Sequence, residues 1–434
     1  MNTLKSKYLI QFFKSRKLSK ETQRGYNIIM KQFCEVNNKN LDDLVEELIV
    51  EQYDEIRDNK IIKFNPETGK MVEYINRFVE YSKSHGNKNN TIYLKISKIK
   101  AFMNYYNIRL PDVSNFKIQT PSWNKLSKSE IKYAIDTSDL FHRTLILFLT
   151  STGMRISDVV NIRIVDFMKA TSDYHNLNNV DDFIELAPDD MVGFWDFKPV
   201  KTSRHNIQCK VCNTPEASNN ILLLLRERKK FYIKRHPELK LEENDFIFAS
   251  RNNQYKQKLF KNSITSYFNK LNKRLQTEIK RELKSKLEDG GITEYTYNKM
   301  LDEAPRLSAH GLRKYFISTA AENVGNLRVC ALMEGHAAPM GLDDSYVKIS
   351  DDLIKEEYHK LIEPLSFENT EVNFITSKKR KELEEQIDEL KEENEHIKKN
   401  IDKEVDKAFM KTLEKYKKEI YSNIKGEVQS QKWD

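Results

Sequence analysis

His310 and Arg313 stand three residues apart in Ser308-Ala-His-Gly-Leu-Arg. At helical spacing the imidazole and the guanidinium would share one face, with Ser308 placed to cap the helix. That pairing suits a phosphodiester. Such a group carries negative charge and gathers more in its transition state, so catalysis without a metal needs two or more fixed cations around the non-bridging oxygens. Arg155, at the Gly-marked turn Thr152-Gly153-Met154-Arg155, is the second candidate cation. Farther along lie Glu334-Gly335-His336 and Asp344-Ser345-Tyr346. A protonated tyrosine, with an ordinary pKa of about 10, attacks phosphorus poorly, so a nucleophilic Tyr needs cationic neighbours and a base. Singly, each Arg or Gly-flanked His reads as a surface or structural group. Together they supply what a nucleophilic tyrosine requires.

The elements that must position these groups are mostly helical. The chain has 434 residues, 39% hydrophobic, with 12 Gly and 10 Pro, which supports two packed cores plus a polar extension. Lys and Arg total 73 against 65 Asp and Glu; the tail from Lys378 is roughly balanced, so the excess of +8 belongs to what precedes it. This fits a polyanionic partner without proving one. The four cysteines form no secreted disulfide framework, no apolar signal core follows Met1, and no apolar run approaches the roughly 20 residues that cross a bilayer. A soluble, cytoplasmic protein without a membrane segment is expected.

From Leu4 to about Tyr106, apolar residues recur at helical spacing, as in Tyr26-Ile29-Met30-Phe33 and Ile92-Ile96-Ile99-Phe102, which predicts a bundle of four or five helices. Its lysines, Lys95 and Lys98 among them, read as a solvated face before they read as DNA contacts. Residues 1–110 form this first domain and 111–125 a linker. A second domain, 126–365, opens on a capping box with Ser127 as N-cap and Glu130 reaching back, Leu126 stapling onto Ile131. A strongly apolar helix follows from Leu140 to Leu149, then a short one with Ser157 as its cap. Phe183–Leu186, Gly193–Phe197 and Asn206–Cys209 have strand character and predict a small antiparallel sheet among helices. Cys209-Lys-Val-Cys212 lacks two further ligands at zinc spacing and reads as strand packing. Residues 283–300 look like an insertion with no assigned role.

The tail, 366–434, differs in kind. Leu383, Ile387, Leu390, Asn394, Ile397 and Ile401 alternate steps of four and three, a heptad seam with one Asn, interrupted at Glu404. A coiled-coil helix is expected, with partner and orientation open.

The ordered set resembles the tyrosine recombinases, the integrase family of site-specific DNA recombinases, and most resembles their archaeal or viral branch. The matching residues are Thr152-Gly153-Met154-Arg155-Ile156-Ser157-Asp158-Val159, His310-Gly-Leu-Arg313, Gly335-His336 and Tyr346, spread over about Leu126 to Pro364; the first bundle resembles the family's core-binding domain. The resemblance implies that Tyr346 attacks the scissile phosphate, leaving a 3'-phosphotyrosyl link and a free 5'-hydroxyl. Arg155 and Arg313 would hold the non-bridging oxygens, His310 would assist proton transfer, and His336 would add a hydrogen bond. Asp158 would orient neighbouring cations. The family's leaving-group lysine, on a β-hairpin turn, is best matched by Lys201, with Lys198 as competitor. Double-stranded DNA at specific attachment sites, a tetrameric synapse, integration or excision of a mobile element, and no cofactor or metal are implied in the same way. His336 and Tyr346 are ten residues apart where nine is commoner, which keeps Tyr358 as a fallback nucleophile. The rival readings are a type IB topoisomerase and a non-catalytic architectural DNA-binding protein.

Overall fold

A computed structural model describes residues 4–52, 55–57, 60–111, 125–202, 207–302, 304, 306–336, 349–368 and 377–430. The chain divides into two compact units, Met1–Ser122 and Trp123–Asp434.

In the first unit, helices α1 (Lys7–Arg16), α2 (Lys20–Val36), α3 (Leu41–Glu51), α4 (Lys70–Ser84) and α5 (Asn89–Tyr105) enclose one apolar core. Ser19 caps α2, accepting from the Thr22 amide. The predicted stripes face inward. Tyr26, Ile29, Met30 and Phe33 are buried, and Phe33 meets Phe78 edge-to-face at 5.5 Å. One hairpin was not anticipated: β1 (Glu55–Arg57) pairs antiparallel with β2 (Lys60–Ile62). Three-residue strands lie below the length at which alternation is legible. Lys95 and Lys98 lie over the rings of Phe78 and Tyr26, at 5.9 and 5.4 Å from the centroids, so part of the basic face is tied to the core's aromatic rim.

The second unit begins with α6 (Lys128–Asp136). Its capping box is present: Ser127 Oγ accepts from the Glu130 amide at 3.2 Å, and the Glu130 carboxylate accepts from the Ser127 amide at 2.7 Å. Helix α7 (Leu140–Thr152) is the hub, buried on every side from Thr144 to Thr152, which is why its sequence has no polar face. Next come α8 (Ile156–Val159), α9 (Ile164–Ala170) and α10 (Val180–Leu186). Two expectations fail here. Phe183–Leu186 is helical, because Asn179 caps two amides and Val180, Phe183 and Ile184 then share a buried face at i, i+3, i+4. Ser157 lies inside α8, whose N-cap is Arg155.

The sheet consists of β3 (Phe194–Phe197) and β4 (Cys209–Cys212), antiparallel, with Phe194 opposite Cys212 and Phe197 opposite Cys209. Strand character was correctly read at Phe194–Phe197, but the return strand lies over Cys209–Cys212 itself. Both thiols are buried in it, and burial pushes the Cys209 thiol up to about 12. Then follow α11 (Pro215–Arg235), α12 (Lys261–Glu288), α13 (Glu294–Asp302), α14 (Ala309–Asn323), α15 (Leu327–Glu334) and α16 (Asp351–Leu365), and last α17 (Ser377–Ser430). The unassigned 283–300 segment is the end of α12 and the start of α13, which buries no residue of its own. Arg228 on α11 is fully buried, its guanidinium donating to the carbonyls of Phe246 and Ile247 and lying 4.9 Å from the Tyr255 ring. Its role in holding the 246–248 segment is structural.

Candidate active site

Two left-handed glycines frame the site. Gly153 ends α7 at φ 58°, and Gly335 ends α15 at φ 58°. A Cβ on Gly153 would lie 2.2 Å from Phe316, and one on Gly335 would meet Pro199 at 3.1 Å and Cys209 at 3.2 Å. Both turns therefore sit hard against their neighbours, and that fixes where their carbonyls point.

Those carbonyls hold the arginines. Ser308 caps α14, its hydroxyl accepting from the Gly311 amide at 2.9 Å, so His310 and Arg313 lie in the first turns of a helix as their spacing implied. Arg313 is buried, and its guanidinium donates to the carbonyls of Gly153 and Glu334. The second of its terminal nitrogens also lies 3.2 Å from Nε2 of His336. Arg155 leaves the Gly153 turn from the other side and donates to the Gly335 carbonyl at 3.3 Å. The two guanidinium groups thus converge on one turn, Glu334-Gly335, although 158 residues separate them in sequence. Burial and the neighbouring Arg155 charge both lower the pKa of Arg313. Placing two like charges together in a partly desolvated site costs free energy, and here the Glu334 and Asp158 carboxylates offset part of that cost at Arg313.

His336 stands at the mouth, its Nδ1 2.7 Å from the Glu334 carboxylate. In sequence, Glu334 stands out only as part of Glu334-Gly335-His336, with no role of its own; in the structure it holds the imidazole that leans on Arg313. His310 is exposed, and its pKa is lowered by burial of part of the ring and by the positive charges of Lys314, Arg313 and Lys201. Lys201 is exposed in the turn after β3, where the Thr202 amide donates to the Pro199 carbonyl at 3.1 Å. Lys198 is also exposed, one residue beyond the strand.

Asp158 joins the two halves. It is 7% exposed, and one of its oxygens accepts from the Val200 amide at 2.9 Å, next to Lys201. The other oxygen is buried with no protein hydrogen bond. Burial raises this carboxyl above its ordinary value, against the opposing pull of the Val200 amide and of the Arg155 and Arg313 charges.

Tyr346 lies outside the described residues. Tyr358, the fallback, is fully buried on α16, with its hydroxyl donating to the Ser151 carbonyl at 2.7 Å and its pKa raised well above the usual value by burial. A phenol so placed is core and cannot reach a phosphate.

On a mainly helical domain with a small sheet, Arg155, Arg313 and His336 thus meet at the Glu334-Gly335 turn. Residues 124–351 match the Phage integrase family, more than half of the chain, and the chain belongs to that family. It is a tyrosine recombinase, a site-specific DNA recombinase that cleaves and rejoins DNA strands. A comparison with curated protein sequences gives no match. Among solved structures, the chain is similar to XerA recombinase at 17% identity, covering 82% of this chain and 98% of that one with a TM-score of 0.31. It is similar to the Tn1549 transposon integrase in complex with transposon right end DNA at 13% identity, with coverage of 82% and 98% and a TM-score of 0.45. It is also similar to the XerH recombinase bound to palindromic difH substrate at 16% identity, with coverage of 66% and 67% and a TM-score of 0.35. No described helix is long and apolar enough to cross a membrane.

Proposed function

We propose that Tyr346 is the nucleophile, forming a 3'-phosphotyrosyl bond to the scissile phosphate of duplex DNA as the 5'-oxygen leaves, and that the released 5'-hydroxyl, or one from a partner strand, later reverses the step. Bond energy is conserved in the covalent link, so religation needs no external energy source. Arg155 and Arg313 hold the non-bridging oxygens, and His336 adds a hydrogen bond. His310 moves the proton at the attacking oxygen, and Lys201 delivers one to the leaving oxygen. Asp158 positions the Lys201 turn through the Val200 amide and lies among the charges that act on both arginines.

The observation that carries this reading is the convergence of Arg155 and Arg313 on the Glu334-Gly335 turn. It preorganises two guanidinium groups side by side, the arrangement that stabilises charge developing on a phosphate's non-bridging oxygens. Residues 1–110 serve as a core-binding domain, 111–125 as linker and 126–365 as catalytic domain, with basic groups of each domain meeting phosphates. The enzyme works on attachment sites of a mobile element in a prokaryotic, archaeal or viral setting, in a synapse of four protomers.

The test is a nicked suicide substrate bearing the protein's own attachment site, denatured and resolved for covalent protein-DNA adducts. Wild type gives an adduct, and Tyr346→Phe gives none while keeping DNA binding. An adduct formed by Tyr346→Phe would overturn the assignment.

A further inference from the structure

Helix α17 is a single helix of 54 residues, roughly 80 Å long at 1.5 Å per residue. Its apolar seam is bare: Leu390 is 58% exposed, Ile397 53% and Ile401 55%, with Val405 and Phe409 beyond them exposed further still. Helices in proteins draw most of their stability from packing an apolar face, and the seam residues of this one are covered by nothing in its own chain among the described residues.

We infer that the occupant of this seam is α17 of a second copy, paired parallel and in register. Three observations converge on that arrangement. First, the steps of four and three place Leu383, Leu390 and Ile397 at the d positions and Ile387, Asn394 and Ile401 at the a positions. Branched residues at a with Leu at d favour two strands. Second, Asn394 is the polar member. In a parallel, in-register pair it faces its own counterpart, and two amides can bond to each other. An antiparallel pair sets each a residue against a d residue, which would bury Asn394 against Leu390 or Ile397 with nothing to accept or donate. In the single helix the exposed Asn394 amide folds back onto the Leu390 carbonyl at 3.0 Å, so it is available to turn outward. Third, the flanking charges agree. Glu393 at g meets Lys398 at e of the partner five residues on, Gln386 meets Lys391, and by sequence register Lys379 meets Glu384, so no like charges oppose one another.

Past Glu404 the apolar residues Val405, Phe409, Leu413, Tyr416 and Ile420 advance by four, four, three and four. That spacing turns the stripe around the helix and relaxes the left-handed supercoil, so the specific seam is 383–401. A parallel pair carries its two-fold axis along the coil and sends both catalytic domains off the same end. The enzyme would meet DNA as a preassembled pair.

The pairing is independent of the catalytic assignment and is read on the full-length chain without DNA, at high salt. Sedimentation equilibrium should give a dimer, and Ile397→Asp combined with Ile401→Asp should weaken it by ~100-fold or more, since each pair would bury opposed carboxylates. On mild oxidation Leu390→Cys should cross-link to its counterpart, whereas Glu392→Cys, on the outer face, should not. A chain that stays monomeric, a dimer untouched by the double substitution, or one that cross-links through Leu390→Cys with Asn394→Cys but not through Leu390→Cys alone, would overturn the proposal.

Discussion

The Arg313 guanidinium donates to the carbonyl of Gly153, 160 positions upstream, with its other terminal nitrogen on the Glu334 carbonyl. One side chain thereby ties the end of α7 to the end of α15. Replacing it by lysine keeps a charge but loses the planar fork that spans both carbonyls. Arg313→Lys should lower stability by about 2 kcal/mol in urea unfolding, because one buried carbonyl loses its donor. Adduct formation should fall by ~100-fold or more, since the remaining ammonium cannot hold both the protein turn and a phosphate oxygen. Adduct formation within a few-fold of wild type would show that Arg313 is structural only.

The glycine turns make a graded prediction. Gly153→Ala meets a left-handed backbone and Phe316 at 2.2 Å together, whereas Gly335→Ala meets the same backbone with contacts no closer than 3.1 Å. The first should cost about 3 kcal/mol and the second about 1.5 kcal/mol in equilibrium unfolding. Equal costs would mean that Phe316 yields freely and that the Gly153 carbonyl is less rigidly set than its contacts imply.

The helical bundle, the capping box and the helical tail were legible because each is written in local spacing: Ser127 and Glu130 satisfy each other within one turn, and the buried stripe of α2 repeats every three or four residues. Of the candidate site, Arg155, Arg313 and His336 were legible as types in an order. Their convergence was not, because Arg155 and Arg313 meet through main-chain carbonyls of Glu334 and Gly335, and a carbonyl has no sequence signal. The Phe183–Leu186 error has a local root. Three apolar residues in a run of four fit strand and helix alike, and the Asn179 cap, four residues before Phe183, decides between them. Arg228 was invisible for the opposite reason: in a basic helix of surface lysines, nothing marks the one arginine whose partners are the Phe246 and Ile247 carbonyls.

Tyr358 separates core from chemistry. Tyr358→Phe removes the hydroxyl that donates to Ser151 and should cost about 1 kcal/mol in unfolding free energy. The same variant should form the suicide-substrate adduct at the wild-type rate once folded. A folded Tyr358→Phe that forms no adduct would return this residue to the list of nucleophiles.

The charge on His310 distinguishes Lys201 from Lys198. Partial burial and the charges of Lys314, Arg313 and Lys201 lower the pKa of His310 from its ordinary value of about 6.5, so in DNA-free protein its ring should titrate below that value by NMR. Lys201→Ala removes one repelling charge, and the midpoint should rise toward the ordinary value; Lys198→Ala should leave it in place. The sign for stability follows from the same depression. Between the lowered folded midpoint and about 6.5 the unfolded chain binds more protons at this position, so stability rises with pH across that window. The contribution of His310 is complete above about 6.5 and is lost as pH falls through the folded midpoint. His310→Gln should flatten this segment of the stability profile. A midpoint unmoved by Lys201→Ala but raised by Lys198→Ala would move the proposed leaving-group role to Lys198, whose charge would then be the one that reaches the His310 ring.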